Sequence, residues 1–190
     1  MMDGFLVTSR ARTAIDVARS GTFFQAVCVL DGAMHAGVPR SELESVLRRS
    51  VGRTGVATAR AALAVADGKS ESIGESLSRV LMLSFGDIPT PRLQQRFLNS
   101  AGDFLGRTDF DWDGVVVGEF DGYAKYIRYL RPGETTEQAY EREKWREQRL
   151  IREGGVAVVV RWNWKDLVQP ERLRAVLVQA LRTHGLMAAA

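Results

Sequence analysis

Apolar residues recur at three- and four-residue spacing through the first third of the chain and then change to alternating or contiguous runs. The early spacing predicts short helices over 13–18, 23–36, 41–49 and 56–66, with Pro39 and Ser41 opening the third and glycines closing several. The polar stretch D-G-K-S-E-S at 67–72 marks the change in composition. Residues 1–68 are therefore expected to form a small helical module and residues 69–190 a second domain.

Beyond that boundary, Ser72-x-x-Glu75 precedes Leu77, Val80, Leu81 and Ser84 at helical spacing, predicting a helix over 72–86. Short extended runs follow at 93–98, 104–111 and 115–121, separated by N-S-A-G-D and W-D-G, which predicts an antiparallel meander. A charged helix is expected over 136–153 and is stopped by Gly154-Gly155. The nearly unbroken apolar run 156–162 reads as a strand covered on both faces, and Pro170 opens a last helix to about His184. This order gives an α+β class, a mixed sheet flanked by helices.

Composition narrows the chemistry. At 190 residues the chain can bury a sizeable core, and 26 Lys plus Arg against 23 Asp plus Glu leave a net charge of only +3. That balance permits nucleic-acid binding without demanding it. The lone Cys28 rules out a disulfide within the chain and a Cys-rich zinc motif, and reads as a small core residue. No run approaches the roughly 20 apolar residues of a bilayer-crossing helix, and the start M-M-D-G-F-L-V-T lacks a basic region before a long apolar one. A cytoplasmic protein with no membrane partner is expected. His35 and His184 fit neither a triad nor a metal pattern, and no Walker-type glycine loop is present.

The informative stretch is T-D-F-D-W-D-G-V-V-V-G-E-F-D-G at 108–122. Carboxylates are depleted in strands and costly to bury, so Asp109, Glu119 and Asp121 at the ends of apolar runs need a reason. Residues 115, 117, 119 and 121 share one face of their strand. A two-residue turn at Asp113-Gly114 would set Asp109 opposite Gly118; a three-residue loop, which Gly114 suits, sets it opposite Glu119. Cross-strand Cβ atoms lie about 4.5–5.5 Å apart, close enough for two carboxylates to share a hard, oxygen-loving cation such as Mg²⁺ or Mn²⁺. Asp111 and Asp113 read as turn formers around Trp112. Glu75 has two readings, a site residue or the return half of a capping box with Ser72.

These residues carry a resemblance. Glu75 on a helix, T-D-F around Asp109, G-E-F-D-G at 118–122, R-E-K-W-R-E-Q-R-L and V-V-V-R-W together resemble the very-short-patch-repair-like branch of the PD-(D/E)XK nuclease superfamily, over Ser72 to about Leu181. The segment L-V-T-S-R-A-R-T-A-I-D-V-A-R near the start is similar to the one that follows the winged helix in actinobacterial AbiEi-type antitoxin and regulator proteins. Met1 falls a few residues before that shared segment, so the winged helix itself is not expected here. The resemblance implies a restriction-endonuclease-like sheet, Mg²⁺ or Mn²⁺ held by Asp109, Glu119 and Asp121, and Glu75 orienting water or a second ion. Asp121 stands where the superfamily pattern has a lysine, as in similar members of this branch. Lys125, or else Lys144, would then supply the positive charge, with Lys125 preferred for its proximity.

Arg142, Arg146 and Arg149 fall on one stripe of the charged helix and, with Arg128, Arg131 and Lys144, could track phosphates. Interleaved Glu141, Glu143 and Glu147 equally suit a salt-bridged surface helix. Tyr123, Tyr126 and Tyr129 could stack on unpaired bases or pack a loop. Trp162 and Trp164 read as core or rim residues, with Arg161 a phosphate or carboxylate partner. Two functions emerge: a metal-dependent nuclease acting on nucleic acid, DNA first, or a non-catalytic AbiEi-like antitoxin or transcriptional regulator that keeps the fold as a protein- or DNA-binding scaffold. In the second case the helical module would be the docking or homodimer surface.

Overall fold

A computed structural model describes residues 6–122 and 132–188. Among them, eight helices and a four-stranded mixed sheet make an α+β fold, as expected, and the chain divides into two units at Val80 and Leu81.

The first unit holds α1 (Arg10–Ser20), α2 (Phe23–His35), α3 (Arg40–Arg48) and α4 (Val56–Val65), close to the predicted spans. Ser9 caps α1 by accepting from the Arg12 amide, and Thr22 with Gln25 forms a capping box on α2. Ile15, Val27, Leu30, Leu43 and Leu63 fill one core with small alanines from α1, α2 and α4.

Helix α5 (Ile73–Phe85) runs through the division, which the sequence reading set earlier, at residue 68. The reason is a buried ion pair. Arg79 Nη2 reaches both oxygens of fully buried Asp31, at 3.0 and 2.8 Å, and Arg79 Nη1 donates to the Val65 carbonyl at 2.6 Å. Asp31 Oδ1 also accepts from the Asp67 amide at 2.7 Å. A boundary before α5 would strip a buried carboxylate of its counter-charge, so the first turns of α5 belong with the helical unit.

The second unit contains β1 (Arg92–Leu98), β2 (Phe104–Trp112), β3 (Val116–Asp121), α6 (Thr136–Glu153), β4 (Val158–Asn163), a short α7 (Trp164–Leu167) and α8 (Pro170–Thr183). Thr135 and Gln138 box the start of α6, and Gly154 ends it. Strand order is β1-β2-β3-β4, with the first three antiparallel and β4 parallel to β3 after the α6 crossover. β3 is central and buried almost throughout. β4, by contrast, is an edge strand whose Val158 and Val159 are only half-buried, which corrects the expectation of a strand covered on both faces. Its valine run reflects parallel pairing with β3, and only Val160 and Trp162 are buried.

The two faces of the sheet differ in chemistry. On one, Val117, Phe97, Leu105 and Val156 pack with Leu150 of α6. On the other, Phe110 meets Trp162 at 5.2 Å and Phe120 meets Trp164 edge-on at 5.1 Å. Trp162 is buried and Trp164 half-buried, the core and rim positions read from the sequence. α8 packs against β4 and buries Leu173, Leu177 and Leu181.

Candidate functional site

The hairpin joining β2 to β3 turns through Asp113, Gly114 and Val115, with left-handed φ of 58° at Asp113 and 74° at Gly114. Phe110 pairs with Gly118, Asp111 with Val117 and Trp112 with Val116. This is the three-residue loop the sequence predicted. Asp111 acts as the turn former expected of it: Oδ1 accepts from the Gly114 amide at 2.8 Å, while Arg92 Nε donates to Oδ2 at 2.6 Å.

The β2–β3 ladder ends at Phe110 and Gly118, and Asp109 occupies the gap beyond it. Asp109 Oδ2 accepts from the Phe120 backbone N–H at 3.0 Å, so the carboxylate satisfies a strand amide. Glu119 lies on the α6 side of the sheet and is 1% exposed. A carboxylate that deep must find counter-charge or protonate.

Two guanidiniums supply the counter-charge. Arg146 of α6 approaches from above: its Nη2 lies 2.5 Å from Glu119 Oε1, and its Nη1 donates to the Arg107 carbonyl at 3.2 Å. Arg161, the parallel-strand neighbour of Glu119 on β4, places Nη1 2.8 Å from Glu119 Oε2 and 3.5 Å from Asp121 Oδ1. Both arginines also hold Glu143, and Arg161 reaches Glu147 Oε2 at 3.0 Å.

Gly106 makes room for this clamp. A Cβ there would stand 3.3 Å from Cγ and Cδ of Arg146, so the bare backbone of β2 lets the arginine stem lie across the strand. Gly118 has a parallel role on the opposite face, where an added Cβ would come within 2.5 Å of the Trp162 ring. Two glycines in strands thus have packing reasons.

The electrostatics follow the geometry. Burial disfavours both guanidinium cations, but the surrounding carboxylates outweigh it and raise Arg146 and Arg161 above the ordinary arginine range. For Glu143, burial pushes the carboxyl up, yet Arg146 and Arg161 hold it down at about 2.

A divalent cation does not fit the side chains as placed. Both oxygens of Glu119 face guanidiniums, and Asp109 accepts a strand amide. Among the described residues no three His, Cys, Asp or Glu side chains converge on a common point. An ion shared by Asp109, Glu119 and Asp121 would require Arg146 or Arg161 to leave.

The remaining expected positions separate. Glu75 lies in the first unit, where Oε1 accepts from the Ser72 hydroxyl at 2.7 Å and Oε2 from the Glu71 amide at 2.9 Å, while the Ser72 hydroxyl accepts from the Glu75 amide at 3.2 Å; the amide bound is thus Glu71's rather than the Ser72 amide of the expected capping box. The arginine stripe divides: Arg142 pairs with Glu134 at 2.8 Å, Arg149 with Glu153 at 3.3 Å, and only Arg146 turns to the sheet. Lys144 is exposed on the outer side of α6. Lys125, Arg128, Arg131 and the tyrosines at 123, 126 and 129 lie outside the described residues.

Sequence reasoning named Arg161 as a carboxylate partner, and it is one. It missed the joint role of Glu143 and Glu147 and the path over Gly106. Signals existed: a glycine inside an otherwise β-forming run, and Leu150 one turn beyond Arg146 on the same helix face.

Comparison with known proteins adds relatives without a described activity. Two uncharacterized proteins of Mycobacterium tuberculosis, from strains CDC 1551 / Oshkosh and H37Rv, are each 38% identical over 122 residues, which is 63% of this chain and 44% of theirs. The chain thus spans less than half the length of these curated relatives. No family model matches the chain, and no solved structure matches it.

Proposed function

We propose that the second unit is a non-catalytic scaffold of the regulator or antitoxin kind, a nuclease-like sheet whose former metal corner is closed by arginine. The observation that carries this reading is Glu119, 1% exposed and held by Arg146 and Arg161. A catalytic carboxylate must offer an oxygen to an ion or to water in the reacting complex. Here Arg146 donates a hydrogen bond to Oε1, and Arg161 Nη1 lies 2.8 Å from Oε2 as an ion pair.

A protein partner suits the charge pattern better than DNA. Arg142, Arg146 and Arg149 are each committed to a carboxylate of the same chain, so the stripe has less charge to offer phosphates than its composition suggests. Supercoiled plasmid incubated with Mg²⁺ or Mn²⁺ tests the proposal. The wild-type chain should convert no more plasmid than the Glu119→Ala variant. Metal-dependent nicking by the wild type that Glu119→Ala abolishes would overturn it.

A further inference from the structure

The outer face of α6 bears no part of the clamp. Glu137, Glu141, Lys144, Trp145, Gln148 and Arg152 share it at helical spacing, and all but half-buried Gln148 are exposed. Trp145 is 64% exposed, an unusual position for the largest apolar side chain, and with Glu141, Lys144 and Gln148 it lines a hollow of about 250 Å³. Ile151, 43% exposed, extends the apolar area towards the end of the helix.

Charge along this face is polarised. The acids Glu137 and Glu141 occupy its N-terminal half, and Lys144 and Arg152 its middle and C-terminal end. Such a face repels a parallel copy of itself and attracts an antiparallel one. We propose that it is the contact of a twofold homodimer, in which α6 lies antiparallel to α6 of a second copy.

Centred near Trp145, the arrangement brings the two indoles together at the axis. Glu137 then meets Arg152 of the partner subunit, and Glu141 reaches towards the partner's Lys144. Each contact occurs twice, as an isologous interface requires. The aromatic centre with a charged rim matches the anatomy of hot-spot interfaces. At 18 residues, α6 is about 27 Å long, so the contact is small and the dimer should be of micromolar strength. The proposal does not depend on whether the arginine clamp is catalytically silent.

Sedimentation equilibrium of the full chain under reducing conditions, which exclude a Cys28 disulfide, tests it. The wild type should self-associate, and Trp145→Ala should weaken the dimer by about 30-fold or more without changing thermal unfolding of the monomer. Glu137→Arg alone and Arg152→Glu alone should each weaken it by roughly tenfold, and mixing the two variants should restore association as a heterodimer. Weakening by each variant alone together with recovery on mixing requires antiparallel pairing. A wild type that stays monomeric at millimolar concentration would overturn the proposal. So would a dimer indifferent to Trp145→Ala, or reversed charges that do not recover on mixing.

Discussion

Glu119 and Gly118 are neighbours in G-E-F-D-G, yet each answers to a different face of the sheet. Glu119 faces α6 and takes its charge balance from Arg146 and Arg161, while Gly118 faces the aromatic layer and leaves its place to the Trp162 indole. A motif that resembles a metal-site signature is thus accounted for in part by packing. Gly118→Ala should destabilise the second unit by about 1–3 kcal/mol, because the Trp162 ring is itself buried and has little room to retreat. Urea unfolding followed by tryptophan fluorescence would show this as an earlier midpoint. An unchanged midpoint would mean that Trp162 can move aside. Gly106→Ala meets a flexible arginine stem at 3.3 Å and should cost less.

Helix α6 is fixed to the sheet by Leu150 and by the charges on its inner face, and those charges make its docking sensitive to acid. Glu143 titrates at about 2 in the folded chain against 4.5 when free. Because the folded value is the lower one, the stability it contributes is fully present above about pH 4.5 and is lost as pH falls towards 2. Urea midpoints should therefore fall across that window, and Glu143→Gln should flatten the fall; an equal slope in both proteins would place the acid sensitivity elsewhere. Much of this element was legible beforehand, since the capping box and Gly154 fix its ends at the predicted residues. The hairpin register was legible as well, because Gly114 fits a three-residue loop and the alternation chooses the face. What periodicity left open was which arginine turns inward. Spacing puts Arg142, Arg146 and Arg149 on one stripe, and only the sheet beneath, with Gly106 open to a crossing side chain, selects Arg146. The same limit hid Asp31 and Arg79: the carboxylate sits in an apolar helix, and its partner is far along the chain.

Among the described residues, each unit commits charge to internal pairs at its centre. The first unit buries Asp31 with Arg79, and the second gathers Glu119, Asp121, Glu143 and Glu147 around Arg146 and Arg161. These arginines say less about nucleic acid than composition alone implies, and their placement is what supports the proposed scaffold. That reading treats the clamp as stabilising structure. A metal site awaiting its ion would instead hold carboxylates in mutual repulsion, and removing one would relieve strain. The two accounts predict opposite signs for one quantity, the unfolding free energy of Glu119→Ala relative to the wild type, measured in urea without divalent cations. Loss of the buried carboxylate should cost about 2–4 kcal/mol, below the figure for a fully enclosed pair because the side chains of Arg146 and Arg161 remain 21% and 26% exposed. An unchanged or increased unfolding free energy would contradict the account.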